Sequence, residues 1–279
     1  SSRAETPIAF IQAMVSAYEA RGMDPSGALK TAQIAPNLLH QTNTRVTALQ
    51  MEWMSAAAMR ELDDEALGWF RRRLPWGSYG MLARASLSSP DLGMALKRWC
   101  RHHALLADDI VLRLVTEGDT AAILIDEHKD IGEARREFCF VHVLRNIHGL
   151  ACWYVDSRIA LLGARFPFPA PPHADAYPLL FPAPLKFDAA QAELRLDAEY
   201  LDLPIRRDER AMRQMLQRAL LLTVRPYRRD RLLVEKVRQT LAQYPQHTRN
   251  ADDLAHRLNL SVRSLHRQLK DEGSSLQQL

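Results

Sequence analysis

The sequence predicts an α+β chain: a helix-rich N-terminal domain with a small antiparallel sheet, a linker helix, and an all-α C-terminal end. Three observations predict it. The hydrophobic period is helical through the first hundred residues, alternates between 109 and 127, and is helical again beyond Pro204. Helices first and antiparallel strands after them belong to the α+β class. At 279 residues the chain is long enough for two domains.

The elements follow in order. "TPIAFIQAMVSAYEARG" (6–22) reads as a helix capped by Thr6, with Pro7 in the first helical position and Gly22 past the last turn. "RVTALQMEWMSAAAMREL" (45–62) keeps the helical period, and "SSPDLGMALKRWCRHHALL" (88–106) opens on a Ser-Pro start. "DIVLRLVTEGDTAAILIDE" (109–127) alternates around "EGDT" and reads as a β-hairpin. "GEARREFCFVHVLRNIHGLACWYV" (132–155) is a core helix, and "RIALLGARF" (158–166) a strand leaving it. Seven prolines between 167 and 184 remove too many donors for a central strand or helix, so this stretch is expected to be an extended connection. "LKFDAAQAELRLDAEYLDLPI" (185–205) resumes a strand-like pattern and closes the first domain, 1–204. A linker helix is expected over 205–228, ended by Pro226, and a final unit over 229–279. Within that unit "RRDRLLVEKVRQTLAQYP" (228–245) makes one helix, and "NADDLAHRLN" (250–259), capped by Asn250, another.

Charge is unevenly spread. Residues 200–279 hold 16 Lys+Arg against 9 Asp+Glu, whereas the first 199 hold 21 against 24. A near-neutral body with a basic end points to a polyanionic partner for that end. No apolar run is long enough to cross a membrane, and no signal peptide opens the chain. Three cysteines in no framework spacing fit free thiols in the cytoplasm.

The basic end resolves into "NADDLAHRLNLSVRSLHRQLKDEG". Ala251, Leu254, Ala255 and Leu258 line one face of the first helix, and Ala255 is small where two helices cross. Asn259 suits a left-handed turn, Leu260 is available to plug the corner, and Ser261 is an N-cap. In the second helix Val262, Leu265 and Leu269 form an apolar stripe, and Gly273 supplies the stop. Arg263, His266, Arg267 and Lys270 fall on an adjacent arc of about 100°. Two short helices, a three-residue turn and a basic outer face on the second form a helix-turn-helix. An ordinary αα-corner or a solvated surface helix is the alternative.

This stretch resembles the first helix-turn-helix of the AraC/XylS family of bacterial transcription regulators. The resemblance rests on Leu-Ala, turn, Ser-x-x-x-Leu-x-Arg-x-Leu-Lys, then Gly-x-Ser, all in register. "FPAPLKFDAAQAELRLDAEYLDLPI", "GDTAAILIDE" and "MALKRWCRHHALLADDI" are similar to parts of the effector-binding domain in one branch of that family. The resemblance implies a sequence-specific DNA-binding regulator controlled by a small-molecule effector, self-associating as a homodimer, with RNA polymerase as a further partner. It implies that Arg263, His266 and Arg267 read base edges, that Ser261 and Ser264 hold a phosphate, and that Lys270 touches backbone or solvent. It also implies a second helix-turn-helix, which is expected beyond Leu279; without it the chain is expected to bind DNA weakly or not at all.

No effector pocket is assigned from the sequence; Trp53, Trp69, Trp76, Tyr79, Trp99 and Trp153 are candidates to line one or to fill the core. The rival reading is an enzyme or metal-binding sensor with a structural helical tail. "CFVHVLRNIHGLAC" pairs Cys139 with His142 and His148 with Cys152, but the pairs sit on nearly opposite helix faces and cannot share one tetrahedral ion. "ELDDE" (61–65) reads as a solvated helix end, "GSYGML" lacks the Lys-Ser/Thr of a phosphate loop, and no Gly-x-Ser-x-Gly elbow occurs. No catalytic residue, cofactor or metal is expected, and the basic end is not read as a membrane surface.

Overall fold

A computed structural model describes residues 3–218, 232–248 and 250–279. Two hydrophobic cores organise them, a large one over the first 216 residues and a small one near the C-terminus.

The large core is built around α6 (Glu133–Val155). From Phe138 to Val155 nearly every residue of this helix is buried, whichever way it points. A helix apolar on all sides belongs inside. The sheet has the order β3 (Ile110–Glu117), β4 (Thr120–Glu127), β7 (Ala192–Asp197), β5 (Leu161–Arg165), β6 (Leu185–Lys186). The expected hairpin is β3–β4, in register from Ile110 opposite Glu127 to Glu117 opposite Thr120. In β4 the five consecutive residues Ala121–Ile125 are all buried. Successive strand residues face opposite ways, so both faces of the sheet are covered there.

The small antiparallel sheet expected from the sequence is present, with one exception at its edge. It is antiparallel except for β5 and β6, which run parallel. Parallel neighbours need a long crossover, and the proline-rich stretch supplies it. That stretch is not wholly extended either: a 3-10 turn (Ala174–Ala176) leads into a short helix, α7 (Tyr177–Leu180), with Pro178 in its first turn. Proline is tolerated there because the missing N–H has no helical partner to lose.

Two helix starts also shift. Thr6 and Pro7 belong to a short strand, β1 (Ala4–Pro7), paired with β2 (Arg45–Thr47), and α1 (Ile8–Ala20) begins after them. Pairing with a distant strand outweighs the local cap. Asp91, not Ser-Pro, caps α5 (Leu92–Leu106), accepting from the Met94 N–H at 2.8 Å. Thr47 caps α3 (Ala48–Glu61) in a reciprocal capping box with Gln50. Between α3 and α5 lie a loop and α4 (Ser78–Leu87). The loop is held by Asp64, whose buried carboxylate accepts from the N–H groups of Ala66, Gly68 and Leu74 and pairs with Arg21 at 2.8 Å. A further short helix, α2 (Ser26–Thr31), packs on α3.

Within the expected linker the described residues form one helix, α8 (Glu209–Leu216), capped by Asp208. Pro226 and the rest of 219–231 lie outside the described residues. Three helices then enclose the small core: α9 (Leu232–Gln243), α10 (Ala251–Arg257) and α11 (Val262–Asp271).

Candidate nucleic-acid interface

The C-terminal helix pair is assembled by local chemistry. Asn250 caps α10 by accepting from the Asp253 N–H at 2.8 Å. Leu254 and Ala255 turn inward, and small Ala255 also accepts the Leu260 N–H at 2.8 Å, which closes the corner. Asn259 takes the left-handed conformation at φ 54° that the turn demands. Ser261 caps α11, its hydroxyl accepting from the Ser264 N–H at 3.1 Å and donating to the Ser264 hydroxyl at 2.9 Å. Leu265 and Leu269 are fully buried against Leu233, Val234 and Val237 of α9, with Leu260 and Val262 packed at the edge. At the far end Gly273, at φ 73°, ends the helix as its sequence predicts.

Arg263, His266, Arg267 and Lys270 lie at i, i+3, i+4 and i+7 along α11, and all four are exposed. The stripe runs about 10 Å along the helix axis. Among the described residues none of the four has an ion-pair partner. Ser261 is exposed and Ser264 half-buried at the N-terminal end of the same helix. All six predicted residues therefore sit on one short helix, three cations and His266 as an exposed face and two serines at its positive end. Two features were missed by sequence reading. Glu272 accepts the Val234 N–H at 2.8 Å, capping the first turn of α9 from the end of α11. Arg257 lies 4.1 Å over the Tyr244 ring. Both join residues distant in sequence, so no local pattern could have signalled them.

In the large core, three of the six candidate aromatics meet. Tyr79 and Trp99 stack at 5.9 Å, and Trp69 packs edge-on to Phe138 at 5.5 Å. Phe70 bridges Trp69 to His103, whose Nε2 lies 3.4 Å from the Tyr79 hydroxyl. Burial lowers the His103 pKa from 6.5 to about 4. His142, against Trp69 and Phe138, falls to about 3, by burial first and then by the Arg145 charge. Trp69 Nε1 and His103 Nδ1 are buried with no hydrogen-bond partner among the described residues. The other three aromatics lie apart. Trp76 is 71% exposed, Trp53 packs half-buried at the edge of the core, and Trp153 lies under the Arg207 guanidinium at 5.0 Å. An open cleft of about 430 Å³ runs between Trp153 and α8.

The cysteine-histidine helix is otherwise engaged. His142 Nδ1 bonds the Phe138 carbonyl at 2.9 Å, and His148 Nε2 bonds the Ile159 carbonyl at 2.8 Å. Among the described residues no group of three His, Cys, Asp or Glu is placed to hold a metal. No helix among them is long and apolar enough to cross a membrane.

The chain is 26% identical over 277 residues to the ornithine utilization regulator of Pseudomonas aeruginosa, covering 98% of this chain and 80% of that protein. Among solved structures it is similar to the transcriptional regulator CdpR from Pseudomonas aeruginosa, with a TM-score of 0.40 at 21% identity over 93% of this chain and 81% of that one. Residues 22–205, well over half of the chain, match the arabinose-binding domain found at the N-terminus of AraC transcription regulators. The chain belongs to the AraC family of transcription regulators that carry this N-terminal domain.

Proposed function

We propose that this protein binds double-stranded promoter DNA sequence-specifically, under the control of a small-molecule effector held by its N-terminal domain. The observation that carries the reading is the unpaired cationic stripe of α11, backed by a buried leucine stripe and joined to α10 by a tight turn. As a helix-turn-helix, this pair lays its second helix, 261–271, in the major groove, where base pairs present distinguishable donors and acceptors. Arg263 and Arg267 pair with guanine edges through their forked donors, and His266 meets a neighbouring base edge. Ser261, Ser264 and the first-turn N–H groups take a phosphate, which sets register rather than sequence. Lys270 contacts the backbone. The division that follows is an effector domain over 1–204, a linker helix over 205–228 and a reader over 229–279. It works as a homodimer in the cytoplasm, in contact with RNA polymerase, and as a regulator rather than an enzyme.

Binding of the protein to promoter DNA at two salt concentrations tests this, with Arg267→Ala alongside. A steep fall in affinity with salt is expected, because phosphate contacts release counterions. No retention of duplex at low salt would sink the reading.

A further inference from the structure

The helix α9 has two working faces. Leu233, Val234 and Val237 point into the small core. Leu232, Glu235 and Lys236 project about 150° away from them, on the opposite side of the helix. All three are half-buried, whereas Arg238 and Gln239, one turn on, are exposed. The reason lies across the gap, where the first turn of α9 meets the segment that closes the large body. Lys236 Nζ lies 2.8 Å from Glu199, Arg206 lies 3.8 Å from Glu235, and Leu232 packs against the large core. Glu235 is shared with Arg238 of its own helix at 3.9 Å.

Both ends of this contact are anchored. Glu199 sits in a 3-10 turn (Ala198–Asp202) fixed to the N-terminus of α5. The Leu92 N–H donates to the Leu203 carbonyl at 2.9 Å, and a side chain at Gly93 would meet Leu201 at 3.3 Å. The same α5 carries Trp99 and His103 into the ring-lined interior. On the other side Glu272 ties the first turn of α9 to the end of the cationic helix. The contact therefore stands between the interior of one body and the DNA-facing helix of the other.

We propose that Glu199–Lys236 and Arg206–Glu235, with Leu232, form a polar dock that orients the DNA-reading body on the regulatory body and thereby sets its DNA affinity. The dock rests on the reading of α11 as a DNA-binding helix. It is small and solvent-facing. Ion pairs of this kind are individually weak, so the docked and released arrangements are close enough in free energy for a ligand to shift their populations.

Charge reversal tests it. Glu199→Lys and Lys236→Glu each set like charges face to face, and the double variant restores the pair in reverse. Fluorescence energy transfer between one dye on each body should show a broader separation in both single variants and the original one in the double variant. Affinity for duplex DNA should change several-fold in the singles and return in the double, with the thermal transition of each body unchanged. Single variants with the wild-type separation, or a double variant that fails to restore it, would overturn the dock. The separation is read without DNA, so a protein that never binds DNA refutes the functional reading and leaves this test standing.

Discussion

At the scale of single residues, the proposed reading divides the exposed stripe of α11 into side chains that read and side chains that hold. Arg267→Ala should weaken binding to the preferred sequence by about 1–3 kcal/mol and relax preference at one base position, as seen in competition against mismatched duplexes. Lys270→Ala should weaken all sequences alike and lower the slope of log affinity against log salt by about one. Equal behaviour of the two variants would erase the distinction. Legibility at this scale follows from locality. Ser261, Asn259 and Gly273 act on neighbours a few residues away, so a cap, a left-handed turn and a stop could all be read in advance. Glu272 acts on Val234, 38 positions distant, and nothing near either residue announces it.

At the scale of elements, the outcome depended on whether local signals had competitors. The hairpin 110–127 and the buried helix 133–155 emerged as expected, because alternation and length left one arrangement open to each. Thr6 lost its cap to strand pairing with Arg45–Thr47, and the prolines of 167–184 permitted a helical turn where one of them fell at its start. The loop around Asp64 is the clearest case of an element held by one side chain. Asp64→Ala strands three backbone N–H groups and takes its carboxylate partner from Arg21, which still donates to the Leu62 carbonyl, and should cost about 3–5 kcal/mol in urea unfolding of the first body. In the small C-terminal core, Leu265→Ala opens a cavity beneath the exposed face of α11 and should cost about 2–5 kcal/mol there. The mean residue ellipticity at low urea would register that loss first.

At the scale of the whole molecule, acid should act through the buried histidines of the large body. His103 and His142 are held neutral by burial, at about 4 and about 3 against an ordinary 6.5. As pH falls below 6.5 the unfolded chain takes up these protons before the folded one does. Stability is therefore complete above that value and is lost as pH falls toward 4, by on the order of 3 kcal/mol for His103. Urea midpoints at pH 7 and 4.5 should show this loss, and His103→Leu should reduce it; an unchanged difference in the variant would assign the acid sensitivity elsewhere. The three cysteines carry one more consequence. Cys100, Cys139 and Cys152 are all buried, and burial pushes the Cys100 thiol up to about 12 and holds Cys139 well above the ordinary thiol range. The thiolate is the reactive form, so at neutral pH a sulfhydryl reagent should meet silence from the native protein. All three lie in the large core, so the rate at which they alkylate is a clock for the opening of that core, and it does not tick when the C-terminal helices melt alone.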